Sequence, residues 1–188
     1  MELYYCRCRQ NELCDFIMDE KPFSQYLSLL ARIDDFCMRL LQMHGRHISC
    51  SPGCCACCNQ ILNLLPVEFY YLQTAAEAAA LQEPVHAEGD CPLLHEGTCL
   101  LYEHRPVICR THGMPLVVEE NGLRRVDCCP ENFKDGALNT LSGDSLLHLE
   151  RVNLLLVSIN RIFAAARGID AGQRISIAGI FSPAKKLQ

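Results

Sequence analysis

Cys50, Cys54, Cys55, Cys57 and Cys58 fall within nine consecutive positions, in the run CSPGCCACC. Thiols at this density serve poorly as core residues and poorly as disulfide partners for one another. As thiolates they are good ligands for a soft or borderline metal. Of the 14 cysteines in the chain, most lie between positions 50 and 129. The first group is Cys50, Cys54, Cys57 and Cys58, with Cys55 inserted. The second is spread over Cys91, Cys99, Cys109, Cys128 and Cys129. A two-residue spacer, as between Cys54 and Cys57, lets one turn of backbone present two thiolates to one ion. Adjacent cysteines such as Cys57 and Cys58 point apart, so they suit two neighbouring ions or a bridged centre. More than one metal ion, or a cluster, is expected. Zinc and iron both fit, and an iron–sulfur cluster suits all-thiolate ligation equally. The competing readings are disulfides in an oxidised chain and a thioredoxin-like redox pair at Cys54 and Cys57. The redox pair lacks its βαβ context, and buried thiols alone do not explain five in nine residues.

Composition bounds the setting of these thiols. The chain has 188 residues, 49% hydrophobic and 21% charged, enough for one domain, 1–188, with a real core. The net charge of −5 comes with no long Lys/Arg run, which argues against sequence-independent nucleic-acid binding. The N-terminal MELYYCRCRQNELCDF lacks an apolar signal core, and no apolar run approaches a membrane span. A cytoplasmic protein with no membrane partner is expected, where thiols stay reduced; the alternative is a secreted chain without its signal.

Several elements must position the cysteines. Tyr26, Leu30, Ile33, Cys37 and Leu40 recur at helical spacing and predict a helix from Pro22 to about Met43, ended by Gly45. Cys37 falls on that stripe as a buried small hydrophobe rather than a ligand. A second helix is expected from Pro66 to Leu81, with Pro66 in its first turn and Glu83-Pro84 ending it. Residues 84–112 look irregular, and a metal would tie so long a loop down. Asn121-Gly122 between short apolar runs predicts a hairpin from Met114 to Cys128. A third helix is expected from Ser142 to Arg167, ended by Gly168, with Val152, Leu155, Leu156, Ile159, Ile162 and Phe163 as its apolar face. A short strand over Ile175–Ile180 completes a mainly α fold: three principal helices, one small hairpin and a metal-tied loop region at 48–133.

The runs CSPGCCACC, CPLLHEGTC and YEHRPVICR occur in this order. Together they closely resemble the CxxCxxCC, or YkgJ-type, cysteine-cluster family of zinc- or iron-chelating domains, over positions 48 to 133. The resemblance implies metal ligands at Cys50, Cys54, Cys57, Cys58, Cys91, Cys99 and Cys109. It implies another at Cys129, the cysteine before Asn132-Phe133. Cys128 is then extra, and Cys55 stands where the family often has glycine, so the implied ligand count runs from eight to ten. Arg105 and Arg110 match the family's RP-x2-CR pattern. A cation beside the thiolates lowers thiol pKa and offsets their charge. Pro106 would fix the chain entering Cys109. Tyr102 either packs or donates to a thiolate. With so many cysteines at hand, His95, His104 and His112 fall outside the ligand set, with His112 best placed to stand next to it. Cys6, Cys8 and Cys14 form either another weak site or free thiols.

Three functions compete. A structural zinc module would hold a loop-rich surface for a protein partner. An iron–sulfur or iron-dependent protein would be an enzyme or electron carrier; related cysteine motifs in flagellin lysine methylases make a protein-modifying role conceivable by analogy. Metal buffering or delivery would want labile, exposed thiolates. No nucleophile elbow, phosphate-binding loop or dinucleotide fingerprint appears, so whether the chain is an enzyme stays open.

Overall fold

The computed structural model describes residues 21–51, 53–85 and 87–182; the N-terminal cysteines Cys6, Cys8 and Cys14 lie outside them. Helix α1 spans Lys21–His44. Its stripe of Tyr26, Leu30, Ile33, Cys37 and Leu40 is buried, as the periodicity predicts. The helix stops at His44, just before Gly45 as expected, and Gly45 opens a 3-10 turn, Gly45–His47. Helix α2, Pro66–Ala78, ends three residues short of Leu81. Ala80 takes a positive φ of 48° there, and the Leu81 amide returns to the Ala76 carbonyl at 3.0 Å. This closes the helix as a glycine cap would, well before Pro84.

α2 is buried on two sides and separates two apolar clusters. Val67 and Tyr71 join α1, Val107, Met114, Val152, Leu156 and Phe163 in the larger one. Phe69, Leu72, Ala75 and Ala76 join Leu64, Leu93, Leu101, Ile177 and Ile180 in the smaller. Tyr70 packs against both. Cys91 and Cys99 pack on the smaller cluster, so the second set of thiols is mounted on a core of its own.

Residues 84–112 carry more structure than their composition suggests. They hold a hairpin of β2, Leu94–His95, with β3, Thr98–Cys99, then a 3-10 turn, Tyr102–His104, and a short helix α3, Val107–Thr111. Leu93 and Leu101 anchor the segment at 2% and 3% exposure. Protein contacts thus order much of a segment that its composition marks as irregular. The predicted hairpin is β4, Leu116–Glu120, with β5, Leu123–Asp127. Asn121 and Gly122 both take positive φ, 54° and 76°, as a type I′ turn demands.

The third principal helix, α4, spans Leu149–Arg167 and starts seven residues later than Ser142. The intervening chain forms a 3-10 turn, Gly143–Ser145, and the strand β6, Leu147–His148, which pairs parallel with β4. Leu147 is buried from that strand, and its amide donates to Pro115 O at 2.9 Å. The buried face of α4 also differs: Leu155 and Ile162 are 47% and 51% exposed. Asn160, with no exposed surface, explains the rotation. Its Oδ1 accepts from the Val67 amide at 3.1 Å and its Nδ2 donates to Ala171 O at 2.9 Å. The inward stripe is therefore Val152, Leu156, Asn160 and Phe163. The C-terminal strand shrinks to β7, Ile175–Ser176, paired antiparallel with β1, Asn63–Leu64; a 3-10 turn, Ile177–Gly179, replaces the rest.

Candidate metal centre

The cysteine knot lies in the loop between α1 and β1. Cys54 N donates to Ser51 O at 2.9 Å and Cys58 N to Cys55 O at 2.8 Å. These two tight turns shape the backbone of the knot. The knot is joined to the distant cysteines through backbone, since Cys91 N donates to Cys58 O at 2.8 Å. Cys99 stands opposite Leu94 in the β2–β3 hairpin, and Cys109 lies on α3. Cys54, Cys55, Cys57, Cys58, Cys91, Cys99 and Cys109 line one cavity.

The helix carrying Cys109 is placed by buried polar groups from two other helices. Glu68, in the first turn of α2, accepts from its own Leu65 amide at 3.3 Å and from the Val107 amide at the start of α3 at 3.1 Å. Burial pushes its carboxyl pKa up, against the two amides that favour the ionised form. Arg110 is 4% exposed. Its Nη1 meets both Asp34 oxygens on α1, at 2.7 and 2.6 Å, its Nε donates to Arg105 O at 2.7 Å and its Nη2 to Glu103 O. This guanidinium braces the turn before Cys109 from behind. Arg105 instead stands at the cavity wall: its guanidinium lies 3.7 Å over the Tyr102 ring, with Nε on Tyr102 O and Nη1 on Cys109 O at 2.9 and 3.4 Å. Its charge favours the thiolates of Cys99 and Cys109.

A second group of thiols gathers around Asn132, which is 3% exposed. Its Oδ1 accepts from the amides of Ser49 and Cys50 at 2.8 and 3.2 Å. Its Nδ2 donates to Gly113 O at 2.6 Å and to Cys50 Sγ at 3.4 Å. Cys129 sits within hydrogen-bonding reach of Cys50, and Cys54 is close enough to act on it electrostatically. Gly113, at φ 94°, is required here, because an added Cβ would stand 3.0 Å from Cys50 Sγ and 3.3 Å from Asn132 Nδ2. The following Phe133 stacks on His47 at 5.5 Å and donates its amide to His47 O at 2.7 Å, clamping this turn to the end of α1. Cys128 turns its thiol to the Cys129 and Asn132 carbonyls at 3.4 and 3.9 Å.

Cys50, Cys58, Cys91, Cys99 and Cys109 resist ionisation as they stand. Burial first, then Cys129, push the Cys50 thiol up to about 12, against the Asn132 hydrogen bond. Burial, then Cys57, Cys91 and Cys99, push Cys58 up to about 12. Burial and neighbouring thiols raise Cys109 as well, and burial raises Cys91 and Cys99. Crowded thiols of this kind give up protons to an entering cation, whose charge reverses the local electrostatics. The donor set is all sulfur and fits zinc or iron chemically. Among the described residues, no three His, Cys, Asp or Glu side chains stand in metal-holding positions.

The histidines take different places. His112 is exposed and lines the cavity mouth, three residues after Cys109. His95 is exposed on β2. His104 receives Tyr71 at 2.9 Å between the Tyr71 oxygen and its Nδ1. Burial, then Arg110, lower its pKa, against Glu103. A depressed histidine favours the folded chain while neutral. Its contribution is present above the unfolded value of 6.5 and is lost as pH falls through the lower folded value. Melting temperature is expected to drop on acidification below 6.5, and His104→Gln should flatten that limb of the profile.

Residues 49–130 match the CxxCxxCC family model, described as a putative zinc- or iron-chelating domain. The matched span takes in the knot, the β2–β3 hairpin, α3 and both strands of the second hairpin. No curated protein and no solved structure matches the chain significantly. No helix among the described residues is long and apolar enough to cross a membrane.

The sequence pattern did not single out Asn132 as a bridge, nor Gly113, Glu68 and Asp34. Asn132 stood beside a candidate ligand in Cys129-Pro-Glu-Asn132-Phe133, and its burial next to Phe133 was the missing signal. Gly113 follows His112 with nothing local to set it apart from a loop glycine. Asp34 and Glu68 meet Arg110 and Val107 only through tertiary packing.

Proposed function

We propose that the chain holds more than one zinc or iron ion in a multinuclear thiolate centre with a structural role, presenting the loop-rich surface around it to a protein partner. The observation that carries this reading is the convergence of Cys57, Cys58, Cys91, Cys99 and Cys109 on one cavity, with Cys50, Cys54 and Cys129 grouped beside Asn132. Cys54 lines the cavity and also lies near Cys50, so it stands between the two groups. Cys50, Cys54, Cys57, Cys58, Cys91, Cys99, Cys109 and Cys129 are the proposed ligands. Cys55 lines the same cavity and Cys128 is turned to backbone, which makes them the reserve members. Arg105 supplies the cation beside Cys99 and Cys109, Arg110 braces the turn, and His112 stands at the mouth.

An ion in the cavity would draw Cys109 on α3, Cys99 on the hairpin and the knot into one cross-linked unit, and the chemistry it would supply is charge neutralisation and cross-linking of thiolates. Buffering or delivery is less well supported, because among these thiols only Cys54 is exposed. An iron–sulfur or iron-dependent protein is the second reading, favoured by the apolar wall of the cavity. A visible spectrum of protein purified without air separates the two. Colourless protein with zinc supports the structural centre, whereas a brown sample with visible charge-transfer bands supports iron–sulfur.

A further inference from the structure

Asn132 ties two distant stretches of chain together. Its side chain accepts from the Ser49 and Cys50 amides at 2.8 and 3.2 Å, and its own amide donates to Cys129 O at 2.9 Å. The backbones of Cys50 and Cys129 are therefore pinned to one buried residue. Their sulfurs follow, since Cys129 sits within hydrogen-bonding reach of Cys50. Gly113 leaves Cys50 Sγ room, because a Cβ there would stand 3.0 Å from it. The neighbouring thiols are placed differently. Cys128 turns to the Cys129 and Asn132 carbonyls at 3.4 and 3.9 Å, and Cys54 acts on Cys50 through charge. A disulfide sets its sulfurs about 2.05 Å apart, so a pair already in hydrogen-bonding reach on a pinned backbone needs a small closing movement.

We infer that Cys50 and Cys129 form a redox pair, closed to a disulfide by hydrogen peroxide and reopened by a thiol reductant, which switches the Asn132 group between metal-holding and metal-free. The inference rests on the chelation reading, because it acts by withdrawing two of the proposed ligands. The first sulfur attacks a peroxide oxygen, the O–O bond breaks, and a sulfenic acid and one water result. The second sulfur attacks the first, the S–O bond breaks, and the disulfide and a second water result. Two electrons pass from the two thiols to the peroxide, and their protons leave in the water. In the loaded chain the sulfurs enter as thiolates and solvent supplies those protons. The disulfide has no thiolate left to hold an ion. A dithiol returns both electrons and both protons and restores the pair.

Peptide mapping of the unreduced full chain tests the pair. Metal-loaded protein made without air takes one equivalent of hydrogen peroxide, free thiols are alkylated, and metal per chain is read on the same sample after desalting. Cys50–Cys129 is expected as the main disulfide, with metal falling by about one ion per chain. Dithiothreitol followed by dialysis against the metal should reverse both. Metal-free wild type should close the same pair. Beside it, metal-free Cys129→Ser should show at least tenfold less disulfide at Cys50, and Cys50→Ser at least tenfold less at Cys129. The two variants read one pair from opposite sides, so either serves should the other fold poorly. Loaded wild type that forms no disulfide, spreads it over other pairs, or forms Cys50–Cys129 with its metal retained overturns the inference and leaves chelation standing. Undiminished disulfide at Cys50 in Cys129→Ser does the same. Wild-type chain that takes up no zinc or iron before peroxide overturns the chelation reading, and the inference with it.

Discussion

A Cys109→Ser chain is expected to lose metal and stability together. Cys109 sits on α3 at the meeting point of Glu68, Arg105 and the Arg110 brace, and its thiol feels Cys99, Cys91 and Cys58. A serine there keeps the size and removes the soft donor. The ion would be left one ligand short, with its remaining thiolates crowded and uncompensated. Metal affinity should fall more than tenfold. The folded chain should lose about 1.4 kcal/mol for each tenfold of affinity, reaching about 3 kcal/mol if an ion present at about a hundred times its Kd no longer binds. Cys37→Ser is the matched control. That thiol is 1% exposed and donates to Arg110 O at 3.8 Å, a reach that suits sulfur and leaves a serine hydroxyl poorly paired. It should cost about 1–2 kcal/mol of stability through a buried, less well-paired hydroxyl and leave metal content unchanged. Metal per chain by elemental analysis, beside thermal melts with and without chelator, reads both outcomes. Equal metal in the two variants would remove Cys109 from the ligand set.

Asn132→Ala should be nearly as damaging without removing any thiol. It strands the Ser49 and Cys50 amides and the Gly113 carbonyl, formerly paired by one side chain. At about 1–3 kcal/mol for each buried group left unpaired, and with some of them rehydrated, a loss of about 3 kcal/mol is expected. It also frees Cys50, and a lost partner of a ligand typically costs about 10–100-fold in metal affinity. Asn132→Asp keeps the acceptor and loses the donor. The carboxylate still accepts from Ser49 and Cys50, but its second oxygen would face Gly113 O, to which Nδ2 donated at 2.6 Å, so stability should fall at least as far as in alanine. It places a negative charge where Nδ2 met Cys50 Sγ at 3.4 Å, which disfavours the thiolate and should lower metal affinity as far as alanine does. Titration with a competing chelator, alongside melts of both variants, checks this ordering. Unchanged metal affinity in both would show that Cys50 is not a ligand or needs no positioning.

The same residues mark how far the sequence could be read. Periodicity places α1 almost to the residue, because Tyr26 through Leu40 meet one continuous core. Asn-Gly places the β4–β5 turn through its own backbone preference. α4 is harder, since its inward stripe includes Asn160, and a polar residue breaks the apolar period; Leu155 and Ile162 then look like core and are not. The segment 84–112 is misread for a different reason. Leu93 and Leu101 are isolated apolar residues among Pro, Gly and Cys, and only the second face of α2 gives them something to pack on. For the site, spacing alone shows that thiols are dense, and the family match covers them. Their division around Asn132 on one side and the cavity on the other depends on contacts such as Cys58 O with Cys91 N, which no local pattern encodes.

The central claim is that these thiols hold metal in the native chain. Elemental analysis of protein made and purified without air, with thiols titrated before and after chelation, tests it most directly. Zinc or iron is expected at more than one ion per chain, with the cysteines of the two groups protected until chelator removes the metal. Neither element at stoichiometric level, with every thiol titrating freely from the start, would contradict the account.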